Sequence, residues 1–170
     1  LSACATQVPA LEVIVVDGAA SEYCRELCVT YGAQWLPASP NRGEQLRMGA
    51  AQAQGEVLWF LHADAQMQGN PLPLLMAAVK QGAVGGYFRF RFSGESSWRV
   101  RLFEQLVSWR NRLGTPYGDQ GLFAQRSAYF AAGQHAPWPL FEEVPLVKNL
   151  RAAGRFQQID NGLLISPRRW

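Results

Sequence analysis

Long apolar runs are missing from this chain of 170 residues. No uninterrupted stretch approaches the ~20 residues that a bilayer-spanning helix needs, so a transmembrane segment is not expected. The opening Leu1-Ser2-Ala3-Cys4-Ala5-Thr6 carries no basic region and is too short for a secretory signal. Cysteine is scarce. Cys4, Cys24 and Cys28 form an odd set, which speaks against a secreted disulfide framework and for a reducing, cytoplasmic compartment. Cys24 and Cys28 can share a helical face, but no histidine or third cysteine lies nearby to complete a zinc site. The only histidines are His62 and His135. Neither stands beside an evident nucleophilic serine, which argues against a Ser-His-Asp triad. A Walker lysine loop, a dinucleotide glycine fingerprint and a Gly-x-Ser-x-Gly elbow are absent as well.

What remains is an ordinary globular composition, 48% hydrophobic. One domain over residues 1–170 is expected, and a domain of this size removes roughly 70% of its unfolded surface from water. The formal charge is only +3, yet its distribution is uneven. Between Arg89 and Arg112 stand six arginines against Glu95 and Glu104. Such a segment is either a surface for phosphates, acidic lipid or nucleic acid, or a solvated arginine face.

The stretch Val57-Leu58-Trp59-Phe60-Leu61-His62-Ala63-Asp64 organises the rest. Its apolar run predicts a strand buried on both faces, with Asp64 at its mouth. Ligands of open α/β sheets bind outside the carboxyl ends of strands, so an acid there can hold a cation or a ribose hydroxyl. Alternatively it caps the following turn. Glu12-Val13-Ile14-Val15-Val16-Asp17-Gly18 repeats the pattern and delivers a second carboxylate to the same edge. Ser21 is placed to cap a helix reaching about Tyr31, with Cys24, Leu27, Cys28 and Tyr31 inward and Gly32 ending it. Residues 33–36 predict a short strand. A small-residue helix opens at Asn41-Arg42-Gly43, with Arg42 beside free backbone N–H groups where a diphosphate can sit. Asn70-Pro71 starts a third helix burying Leu74, Leu75, Ala78 and Val79. Strand and helix alternate, which predicts a largely parallel sheet with helices on both faces.

In the second half, Tyr87-Phe88-Arg89-Phe90-Arg91-Phe92 alternates with period 2. Residues 97–113 predict an amphipathic helix striped by Trp98, Leu102, Leu106, Trp109 and Leu113. With four interleaved arginines, the stripe suits either packing on the domain or an anionic membrane surface. A turn-rich loop follows, carrying Tyr117, Asp119 and Gln120. Ser127 is expected to cap a brief helix ended by Gly133. Glu142 and Glu143 open a helix to about Ala153, with Leu146, Val147 and Leu150 inward, where two carboxylates also complement the helix dipole. Residues 155–159 and 163–165 flank Asp160-Asn161-Gly162 as a hairpin. The chain stops at Arg168-Arg169-Trp170 without a polar tail, as though cut.

Taken in order, Val13-Ile14-Val15-Val16-Asp17-Gly18, Asn41-Arg42-Gly43, Phe60-Leu61-His62-Ala63-Asp64 and Glu142-Glu143-Val144 resemble family 2 glycosyltransferases of the GT-A fold. The similarity is closest to a small bacterial branch writing His-Ala-Asp for the usual Asp-x-Asp, with Tyr-Gly-Asp-Gln and a late Arg-Arg-Trp. It implies an α/β domain that moves a sugar from a nucleotide-diphosphate donor, a UDP-sugar in the simplest case, with inversion. By the same resemblance Asp17 and Gly18 meet the nucleoside and Arg42 the diphosphate. Asp64, with His62 in place of an acid, binds Mg²⁺ or Mn²⁺. Glu143 beside Glu142 supplies the base, and Asp119-Gln120 lies where donor sugar and acceptor meet. No nucleic acid is implied as partner. The acceptor is open, with a lipid-linked one at the inner face of a membrane among those the family uses. The family's opening strand has no counterpart before Leu1, so a chain truncated at its N-terminus is expected.

The chemistry makes sense of these implied roles, since displacing a nucleoside diphosphate needs a cation on the leaving phosphates and a carboxylate for the acceptor's proton. Two rival readings stand beside this one. A nucleotidyltransferase would share fold and metal, and a non-catalytic module would bind a membrane or acidic partner through residues 97–113.

Overall fold

A computed structural model describes residues 11–92, 97–117 and 120–164, the Leu113 side chain apart. Asp119, the opening residues 1–10 and the terminal Arg168-Arg169-Trp170 lie outside them. The described elements are β1 (Ile14–Asp17), α1 (Glu22–Tyr31), β2 (Gln34–Pro37), α2 (Arg42–Gln52), β3 (Val57–Trp59), β4 (Gln66–Met67) and α3 (Leu72–Lys80). After them come β5 (Ala83–Phe88), α4 (Trp98–Leu113), β6 (Phe123–Gln125), α5 (Arg126–Ala131), α6 (Glu143–Ala153), β7 (Arg155–Ile159) and β8 (Leu163–Leu164).

Strand order in the main sheet is β3-β6-β5-β7, with β1-β2 and β4-β8 as separate pairs. The pairing is mixed, where sequence alternation predicted a largely parallel sheet. β1 with β2 and β5 with β7 run parallel, while β6 runs antiparallel to both its neighbours. The reason is that β6 inserts between β3 and β5 after the long α4 excursion, which frees its direction from the strand-helix-strand rule. The hairpin expected around Asp160-Asn161-Gly162 does not form: β7 pairs with β5, and β8 crosses to β4.

Alternation along the strands sorts side chains to two cores. Leu58, Phe60, Leu122 and Ala124 meet Ala50 of α2, Tyr129 and Ala132 near α5, and Leu146, Val147 and Leu150 of α6. On the opposite face Phe88, Phe123, Ile159 and Leu163 pack with Leu75 and Ala78 of α3. Among the described residues β1 and β3 are not hydrogen-bonded to each other, though α2 lies across both.

Several helix starts obey the predicted chemistry. Ser21 accepts from the Cys24 N–H, and Gly32 ends α1 with φ of 68°, a conformation open to glycine without a Cβ penalty. Ser127 does not cap α5, whose N-cap position is Gln125 with no side-chain bond. Of the predicted inner face of α1 only Cys28 is buried, and Tyr31 is exposed. Among the described residues α1 packs on β2 of the two-stranded β1-β2 pair and meets no second layer to bury against. Leu74 of α3 is likewise exposed.

Candidate active site

The first turn of α2 is the centre of the site. Asn41 caps it, its Oδ1 accepting the Glu44 N–H at 3.2 Å, while its Nδ2 donates to the Pro137 carbonyl at 3.4 Å. The Gly43 N–H donates to the Trp138 carbonyl at 2.9 Å. A Cβ at residue 43 would stand 1.9 Å from the Ala136 carbonyl oxygen, so this close approach of helix and loop requires glycine.

That docking brings three predicted residues together. Arg42 Nε lies 2.5 Å from Oε1 of the buried Glu142, and Arg42 Nη2 meets His62 Nε2. Glu142 immediately precedes α6, and Glu143, also buried, forms its first turn. A buried carboxylate demands a partner, and Arg42 is it. Asp64 is exposed in the turn closed by the Ala65 N–H donating to the His62 carbonyl at 3.1 Å.

Asp17 sits on the other flank of the same helical turn. Gln45 of α2 donates to the Val16 carbonyl at 3.1 Å, and a Cβ added at Gly18 would stand 3.0 Å from Gln45 Nε2 and 3.2 Å from Pro40 Cα. The Asp17 carboxylate accepts from the N–H groups of Ala19 at 2.9 Å and Ser21 at 2.7 Å, and from Trp35 Nε1 at 3.4 Å. Those donors, the Ala19 N–H foremost, hold its pKa below the usual carboxylate value. Asp17 therefore enters the site ionised and oriented by its own turn.

Two predicted site residues have protein partners here. His62 Nε2 faces the Arg42 guanidinium, a cation with which a metal would compete for that nitrogen. Gln120 is wholly buried, its Oε1 accepting from Asn111 Nδ2 at 2.7 Å. It ties the loop to α4. Among the described residues no three His, Cys, Asp or Glu side chains gather to hold a metal. The donor set thus fits a divalent cation only in the mode where substrate phosphates supply most ligands and one carboxylate, here Asp64, adds to them.

One residue near the site escaped sequence reasoning. His135 is buried, its Nδ1 3.0 Å from the Tyr129 hydroxyl, while its own backbone N–H donates to that hydroxyl at 3.3 Å. With His135 neutral and its proton on Nε2, the hydroxyl donates to Nδ1. Burial first, and the Arg42 charge second, lower its pKa to about 3. Desolvation raises Tyr129 to about 12. No signal in the sequence marks this pair, since the two residues meet only by the turn that ends α5.

Comparison with known proteins bears on this geometry. Residues 1–133 match the model described as Glycosyl transferase family 2. Glucosyl-3-phosphoglycerate synthase from Mycobacterium tuberculosis, solved with phosphoglyceric acid, superposes with a TM-score of 0.63 at 19% identity. The same enzyme solved with Mn²⁺, uridine diphosphate and glucosyl-3-phosphoglycerate gives 0.64 at 17%, and both matches cover 92% of this chain and 61% of the other. S. aureus TarS 1-349 with UDP gives 0.65 at 12%, covering 91% and 51%. The chain thus spans little more than half of these structures, and the likeness is one of fold. No curated protein matches significantly.

Proposed function

Since the chain belongs to glycosyl transferase family 2 and its structural neighbours are GT-A glycosyltransferases, we propose that it moves a sugar from a UDP-sugar to an acceptor hydroxyl by in-line displacement with inversion. The observation that carries this reading is the convergence of Arg42, His62 and Glu142 on the first turn of α2, with Asp17 on its other flank. Asp17 and Gly18 receive the nucleoside. Asp64 would hold Mg²⁺ or Mn²⁺, and such a cation would neutralise charge on the leaving phosphates. Glu143 takes the acceptor proton as the acceptor oxygen bonds to the anomeric carbon. The bond from that carbon to the diphosphate breaks, and UDP departs with its electron pair. Glu142 acts through Arg42, each holding the other in place, so Arg42 positions the base-bearing helix as well as facing the diphosphate. By the family resemblance alone, Asp119 serves where donor sugar and acceptor meet. A lipid-linked acceptor belongs to this reading.

Calorimetric titration with UDP tests it. Binding is expected in the presence of Mn²⁺ and is expected to weaken in Asp64→Asn, whereas no binding with Mn²⁺ would remove the reading. In Glu143→Gln, UDP binding should persist while turnover falls by about two to four orders of magnitude. Release of pyrophosphate in place of UDP would transfer the assignment to a nucleotidyltransferase.

A further inference from the structure

α4 buries one side and leaves the opposite side bare. Val107, Ser108 and Asn111 are buried, and Phe103 packs on Phe90 and Phe92. Trp98, Leu102, Leu106 and Trp109 are 71%, 50%, 62% and 72% exposed. At about 100° per residue these four fall within an arc of about 80°, centred roughly 180° from the buried side. The same rotation puts Arg99 and Arg110 on one flank of the stripe and Arg101 and Arg112 on the other, each about 65–95° from its midline. Glu104 is the one acid of the helix, and it is turned inward, its Oε1 accepting the Phe92 N–H at 2.8 Å.

A small cavity of about 210 Å³ opens beside Trp109, lined also by Arg89, Gln105, Ser108 and Arg112. Among the described residues no carboxylate lines it. Arg89 has a loose pairing at 3.9 Å with the exposed Asp160. Arg112 also lines a larger cavity with Arg151 and Arg155, so cationic surface continues past the C-terminal end of the helix.

We propose that this face of α4 docks on an anionic membrane surface. Tryptophan and leucine enter the interfacial layer, the flanking arginines meet headgroup phosphates, and the Arg89–Arg112 notch takes one headgroup beside Trp109. Charge complementarity selects this occupant: an apolar stripe bordered by cations on both sides matches acyl chains under anionic headgroups. A second copy of the chain would bring like charges edge to edge. No described helix is long and apolar enough to cross a membrane, so the contact is a helix lying in the plane of the interface. The proposal does not depend on the transferase reading.

Co-sedimentation of the whole chain with phosphatidylcholine vesicles, with and without phosphatidylglycerol, tests it. Binding is expected only to the anionic vesicles, and raising salt from about 0.1 M to 1 M, which shortens the screening length to about 3 Å, should weaken it. Replacing both tryptophans, Trp98→Ser with Trp109→Ser, should reduce partitioning at least tenfold with the far-ultraviolet spectrum unchanged. Asp64→Asn should partition like the parent chain, so loss of UDP binding and loss of membrane binding are separately visible. Absence of binding to anionic vesicles overturns the proposal. So does binding that the tryptophan pair leaves unchanged, or a dimer in sedimentation equilibrium that the pair abolishes.

Discussion

Arg42 divides its guanidinium between Glu142 and His62, and its charge also reaches His135. A single residue thus links the start of α2, the end of β3 and the start of α6, and its position beside Gly43 makes that possible. His135 gives this cluster a measurable signature. Its pKa falls from 6.5 in the unfolded chain to about 3 in the folded one, so the unfolded state binds the extra proton between those values. Stability from this group is complete above pH 6.5 and is lost as pH falls, with a slope approaching about 1.4 kcal/mol per pH unit below it. Urea unfolding between pH 7 and 5, above the range where Asp17 titrates, should show this slope. His135→Asn should flatten it while lowering stability overall, because the Tyr129 hydroxyl loses its acceptor.

Among the elements, α2 carries most of the site although it is one of the less amphipathic helices. Small residues let it lie across both β1 and the core below β3, and Asn41 both caps it and ties it to Pro137. Asn41→Ala should cost about 1 kcal/mol in urea unfolding, the usual loss for a helix cap, and should weaken UDP binding because Arg42 follows it. α6 contributes differently. Its buried face, Leu146, Val147 and Leu150, anchors it on the sheet and thereby fixes Glu142 and Glu143 at its entrance. The predicted hairpin after α6 failed at this scale, because local turn chemistry at Asp160-Asn161-Gly162 said nothing of which strands had unpaired neighbours. β5 and β4 offered those edges.

At the scale of the molecule, the two larger cores among the described residues pack on the mixed main sheet, and the exposed stripe of α4 belongs to neither. Leu146→Ala, in the core, should cost about 2–5 kcal/mol. Leu106→Ala, on the stripe, should stay within about 0.5 kcal/mol, and the difference in urea midpoints checks the assignment. Patterns along the chain determined the helices α1, α2, α3, α4 and α6 closely, because caps, glycine stops and apolar spacing act within a few residues. Arg42, Glu142 and Glu143 stood out as charged residues at helix starts, while His62 and the role given to Glu143 came from the family resemblance. Only tertiary structure decided that Arg42 pairs with Glu142, that Gln120 turns inward, that His135 lies beside the site, and that β6 runs antiparallel. It alone decided, too, which side of α4 is bare. Each of these depends on what another element brings within a few ångströms, and contacts between distant segments leave no periodic trace in either partner's own sequence.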